Sequence, residues 1–135
     1  MTRVSAVIRE QVRQRAGLRC EYCRMLEAFS PRSYHVDHII PVIRHHGTED
    51  INNLAWACTR CNVNKASDIA SYDLETQQLT PLFNPRAQSW DDHFEMDGAR
   101  ILGKTPVGRI TVSLLQMNSL SQLEARELLI EMRLW

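Results

Sequence analysis

The chain has 135 residues, 16 basic and 16 acidic side chains and a formal net charge of zero, with 44% apolar and 24% charged residues. These proportions are ordinary for a globular protein and exclude disordered and fibrous classes. The zero balance argues against a binder that holds nucleic acid by bulk charge. No apolar run approaches the roughly 20 residues needed to span a bilayer, and Met1–Ser5 lacks the apolar core of a signal peptide. The expected setting is therefore the cytoplasm, where paired cysteines more often bind metal than form disulfides. The length suits one domain over 1–135. Its charge is uneven: residues 1–66 hold ten Arg or Lys against six Asp or Glu, and residues 67–135 hold six against ten.

In chain order, Val4, Ile8, Val12 and Ala16 recur four apart and predict an amphipathic helix over about 4–16. Arg3, Arg9, Arg13 and Arg15 lie off that stripe and are expected on a solvated face, and Gly17 suits a C-cap. Cys20-Glu21-Tyr22-Cys23 follows directly. Residues 33–43 are rich in extended-structure formers, broken at Pro41. Residues 44–48, Arg44-His45-His46-Gly47-Thr48, read as a loop. Residues 52–57 lead into Cys58-Thr59-Arg60-Cys61, and a short helix is expected over about 61–66.

Beyond residue 66 the chain reads as scaffold. Pro81-Leu82-Phe83-Asn84-Pro85 is a turn-rich connection. Asp97-Gly98 between two short apolar runs predicts a hairpin. Thr105-Pro106 opens a helix carrying Val107, Ile110, Leu114 and Met117, and Ser121 to Glu124 fits a capping box before a last helix.

All four cysteines fall in two C-x-x-C pairs separated by some thirty residues, the pattern of a single tetrahedral zinc site on Cys20, Cys23, Cys58 and Cys61. Four thiolates leave no open position, so this zinc is expected to be structural. Between the pairs lie Asp37 and His38. A carboxylate beside an imidazole can divide phosphodiester hydrolysis, the one holding a divalent cation and the other deprotonating water. Taken alone, the pair also fits an exposed polar turn. Strand alternation would place the two side chains on opposite faces unless the strand ends there.

Together, Cys20-x-x-Cys23, His35-Val36-Asp37-His38-Ile39-Ile40-Pro41, Asn53-Leu54 and Cys58-x-x-Cys61-Asn62-x-x-Lys65 resemble the HNH endonucleases, the His-Me finger or ββα-metal nucleases, over about 16–66. The whole chain resembles zinc-knuckle, stand-alone bacterial proteins of that family. The resemblance implies an α+β fold: a ββα-metal core clasped by the knuckle, with an N-terminal helix before it and a C-terminal hairpin and helices after it. It implies His38 as general base, Asp37 and Asn62 as ligands of a catalytic magnesium or manganese, and Asn53 as the residue that ties the loop and orients the base. Arg60 and Lys65 would contact phosphate. Asn62 stands where many members have histidine, and its oxygen suits a hard cation. His35 is left open as a third ligand, a phosphate contact or a surface residue. His45 and His46 are expected in solvent and His93 in a structural role.

The activity implied is metal-dependent hydrolysis of DNA leaving 5′-phosphate and 3′-hydroxyl ends. One site nicks one strand, and cutting both would need a homodimer or two encounters. The competing reading is a non-catalytic, treble-clef-like zinc module that binds nucleic acid or a protein partner. Such a module has no need of Asp37, His38, Asn53 and Asn62 beside its zinc.

Overall fold

The computed structural model describes residues 4–135, so Arg3 lies outside the described residues. The fold is α+β and divides into two compact units. One runs through Ile69 and includes Asn84–Arg86; the other comprises Ala70–Phe83 and Ala87–Trp135. Every residue singled out above as a ligand, base or phosphate contact belongs to the first.

In the first unit, α1 spans Ala6–Arg15, and the Ser5 hydroxyl accepts the Ile8 N–H at 3.2 Å as N-cap. Of its apolar stripe only Val12 is fully buried. The arginines expected in solvent contribute much of the remaining attachment. Arg9 stacks over the Trp56 ring at 4.6 Å and donates to the Tyr34 carbonyl at 2.9 Å. Arg15 donates to the carbonyls of Leu54 at 2.6 Å and Ile51 at 3.1 Å, and Arg13 pairs with Glu10 and Glu27, each at 3.1 Å. A guanidinium can cover an aromatic face and satisfy loose carbonyls at once. That use corrects the solvated-face expectation for Arg9, whereas Arg15 stays exposed as expected while making these bonds.

Strands β1, His35–His38, and β2, Leu54–Ala57, pair antiparallel with His35 opposite Ala57 and His38 opposite Leu54. All of β2 is buried, with α1 packed against it. Between the strands lie α2, Val42–His45, and a single 3-10 turn, Ile51–Asn53. The turn called α2 is interrupted by non-helical backbone at Ile43 and Arg44, so this stretch is a loop, as expected. Helix α3 spans Thr59–Lys65 and packs against β1. It begins two residues before the expected start because the Cys58 sulfur caps it, accepting the Cys61 N–H at 3.4 Å. Two strands and this helix form the ββα core.

In the second unit, β3, Ala70–Asp73, pairs with β4, Gln78–Pro81. This hairpin lacks the Asn-Gly or Asp-Gly signal. Its turn is built instead by the Asp73 carboxylate accepting the Thr76 N–H at 3.0 Å and by Gln77 at φ +59°. After α4, Trp90–His93, strands β5, Phe94–Asp97, and β6, Arg100–Gly103, flank the expected Asp97-Gly98 turn. Thr105 caps α5, Pro106–Leu114, through the Gly108 N–H at 3.0 Å. Gly108 is required there: a Cβ would lie 2.0 Å from the His93 carbonyl oxygen. Helix α6, Leu120–Glu131, starts before the expected capping box, with Ser119 at the N-cap. Phe83, Trp90 and Phe94 form the aromatic centre of this unit, with Phe83 and Phe94 edge to face at 5.2 Å. His93 sits beside Phe83 and bonds Thr105 at 2.6 Å. Among the described residues no helix is long and apolar enough to cross a membrane.

Candidate functional site

The four cysteines come together. All are buried, and their sulfurs lie within 4.8 Å of one another. The Cys23 and Cys58 sulfurs are 3.7 Å apart. A tetrahedral zinc with Zn–S bonds of about 2.3 Å sets neighbouring sulfurs about 3.8 Å apart, so the cluster fits that ion. Each knuckle closes in the same way: the Cys23 N–H approaches the Cys20 sulfur at 3.5 Å, as the Cys61 N–H approaches that of Cys58. Hydrogen bonds from the other thiols hold Cys58 far below the ordinary thiol range, while crowding with the neighbouring sulfurs and burial push Cys23 and Cys61 up. A zinc ion would take all four as thiolates.

The first knuckle is bound to the ββα core by Glu21, which the sequence did not single out. Its N–H donates to the Trp56 carbonyl at 2.8 Å, and its carboxylate accepts the Trp56 N–H at 2.7 Å and pairs with Arg86. Burial lowers Arg86 to about 10.

Asp37 is 5% exposed, its two oxygens accepting from the Tyr22 hydroxyl at 2.6 Å and the Lys65 ammonium at 3.2 Å. Lys65, expected at a phosphate, is 1% exposed and also donates to the His38 carbonyl at 3.1 Å. Its charge faces the interior because a buried carboxylate needs a counter-charge there. Even so, burial outweighs Lys65 and Tyr22 and pushes the Asp37 carboxyl up. A carboxylate offers about four acceptor positions, so two remain for a further partner.

Removing one member of such a pair strands the other, at a typical cost of about 3–5 kcal/mol. Lys65→Met should therefore lower stability strongly in urea unfolding of the zinc-loaded chain, and Asp37→Asn in the same background should recover much of the loss.

His38 ends β1 and turns away from Asp37. Its Nε2 lies 2.9 Å from a Glu49 oxygen, and its side chain is 21% exposed. Glu49 was missed because nothing in its local sequence marks it; only closure of the loop brings it to the imidazole. That closure is the work of Asn53. Its side-chain oxygen accepts the Ile40 N–H, and its NH₂ donates to the carbonyls of Ile40 and Thr48, all at 2.9 Å. The Ile39 N–H adds a bond to the Asn53 carbonyl at 2.8 Å. Gly47 donates to the Pro41 carbonyl at 2.9 Å, and a Cβ there would fall 1.6 Å from the Ile40 oxygen.

Asn62 lies on α3 one turn before Lys65, hence on the face that meets β1, and is half-buried. The C-terminal end of β1 thus gathers Asp37, His38, Glu49 and Asn53, with the Asn62–Lys65 face of α3 beside it. His35 stands apart at the other end of β1, its Nε2 3.3 Å from the Thr59 hydroxyl. Arg60 is half-exposed in the first turn of α3, and His45 and His46 lie on the loop, His46 exposed.

Residues 20–68 match the family model described as HNH endonuclease. No curated protein and no solved structure matches the chain.

Proposed function

We propose, from the HNH endonuclease segment that the chain carries over residues 20–68, that the protein hydrolyses DNA phosphodiester bonds with the help of a divalent metal. The observation that carries the reading is at the end of β1: the His38 imidazole is held by the Glu49 carboxylate, and the loop that carries Glu49 is pinned by Asn53.

His38 is the general base. With Nε2–H donated to Glu49, the neutral ring leaves the Nδ1 lone pair to take a proton from water. The resulting hydroxide attacks phosphorus in line with the 3′ oxygen, which departs and takes a proton from water, leaving 5′-phosphate and 3′-hydroxyl ends. Glu49 fixes the ring's tautomer and orientation. Asn53 holds both ends of the loop that carries Glu49, so the base keeps its place from one turnover to the next.

Asp37 and Asn62 are the residues that would hold the divalent ion. Their fit rests on donor chemistry: a carboxylate and an amide oxygen are hard donors that suit magnesium or manganese, although both Asp37 oxygens already accept from Tyr22 and Lys65. When bound, such an ion supplies Lewis-acid stabilisation of charge on the phosphate and on the leaving oxygen. The neighbouring Lys65 ammonium repels it, so binding should be weak. The zinc of the four cysteines holds the ββα core in shape and takes no part in the step.

The test is a panel of supercoiled plasmid, single-stranded DNA and RNA, each incubated with zinc-loaded protein and magnesium or manganese. Nicked circles appearing before linear plasmid, with 5′-phosphate ends, are the expected result. An untouched plasmid would contradict it.

A further inference from the structure

We propose that the loop Ile40–Gly47 is a wedge that enters duplex DNA beside the cut bond, with Ile43 pushed between base pairs and Arg44 set against the backbone; this rests on the nuclease reading above. One exposed isoleucine is unremarkable by itself. Ile43, however, is 75% exposed at the tip of a loop whose base is locked by the Asn53 bonds, the Gly47–Pro41 bond and the absence of room for a side chain at Gly47. Beyond the tip the backbone is held at φ +81° at Arg44 and +61° at His46, neither of them glycine. With its base fixed in this way, the loop holds its aliphatic tip out from the body of the unit, so part of the cost of ordering it on insertion is already met.

The chemistry around the tip suits a polyanion. Arg44 and His46 are exposed beside Ile43. The two acids that follow are engaged elsewhere, Glu49 on His38 and Asp50 on the Asn52 N–H at 2.8 Å. Residues 1–66 as a whole are basic. An aliphatic wedge acts only where there is a base stack to open. Single strands are held on aromatic platforms, and the loop has no Phe, Tyr or Trp. The occupant is therefore a duplex.

Placement agrees with function. Ile43 is five residues beyond His38, at most about 17 Å along an extended chain, or about five base steps at roughly 3.4 Å each. A wedge there would unstack and bend the duplex close to the phosphate that His38 serves.

The test uses the full zinc-loaded chain without magnesium or manganese and short mixed-sequence duplex DNA carrying 2-aminopurine at successive positions. A fluorescence rise at one step, lost in Ile43→Ala together with a several-fold weaker Kd, is the expected result. Arg44→Ala should weaken binding at every position and reduce the salt slope by about 1. An Ile43→Ala chain with wild-type Kd and wild-type fluorescence overturns the wedge; if the wild type still nicks plasmid, the nuclease reading stands. Unstacking that depends on Ile43 in a chain that never cuts DNA supports the wedge and overturns the hydrolase reading alone.

Discussion

Withdrawing zinc, by chelator or by Cys58→Ser, should unfold the ββα core. The expected loss is the largest of any single change, because structural zinc sites of this type bind with about 10–16 kcal/mol at neutral pH. That is more than the whole stability of an ordinary domain. The molecular reasons are local. Four buried sulfurs stand within 4.8 Å of one another, a spacing that suits one shared zinc ion. The first knuckle carries Glu21, which grips β2 through Trp56. Cys58 is in addition the N-cap of α3, the helix that brings Asn62 and Lys65 to the end of β1. Serine can cap the helix in place of cysteine but supplies no soft thiolate, so the variant separates the two roles. Helix capping alone would leave the core folded, whereas a zinc clasp would not. Metal analysis falling from one zinc per chain to none, with loss of amide protection across β1, β2 and α3, is the measurement.

His38→Ala should lower the nicking rate by about 10²–10⁴, the usual range for removing a general base, with zinc content and unfolding midpoint close to wild type. Stability should hold because the side chain is at the end of a strand and its polar partner, Glu49, is 40% exposed and can return to water. The contrast with Lys65 is informative. Lys65→Met strands a buried carboxylate and should act mainly through stability, whereas His38→Ala should act through the rate. Measuring both variants by urea unfolding and by nicking separates a structural defect from a chemical one.

The parts of the fold legible in the sequence are those written in short spacings. The two C-x-x-C pairs, the Asp97-Gly98 turn and the Thr105-Pro106 helix start each occupy a few consecutive residues, and each geometry follows from local chemistry. What was not legible depends on partners far along the chain. Nothing near Arg9 or Arg15 says that one will lie on Trp56 and the other on the carbonyls of Ile51 and Leu54. The β3–β4 hairpin was missed because its left-handed residue is Gln77, where a turn signal would show glycine or asparagine. At the candidate site, Asp37 and His38 stand out as an adjacent pair, but Glu49 meets His38 only after eleven residues of loop have closed. Lys65 is expected at a phosphate from the resemblance alone. Its burial follows from the packing of α3 on β1, which leaves Asp37 without water.

The most direct test of the account is one comparison on supercoiled plasmid with magnesium or manganese. Wild-type chain and His38→Ala are each brought to one zinc per chain and shown to be folded. Wild type should give nicked circles and the variant should leave the plasmid intact. Equal nicking by the two, or none by either, would contradict the account and leave a zinc module whose Asp37, His38, Asn53 and Asn62 serve no hydrolysis.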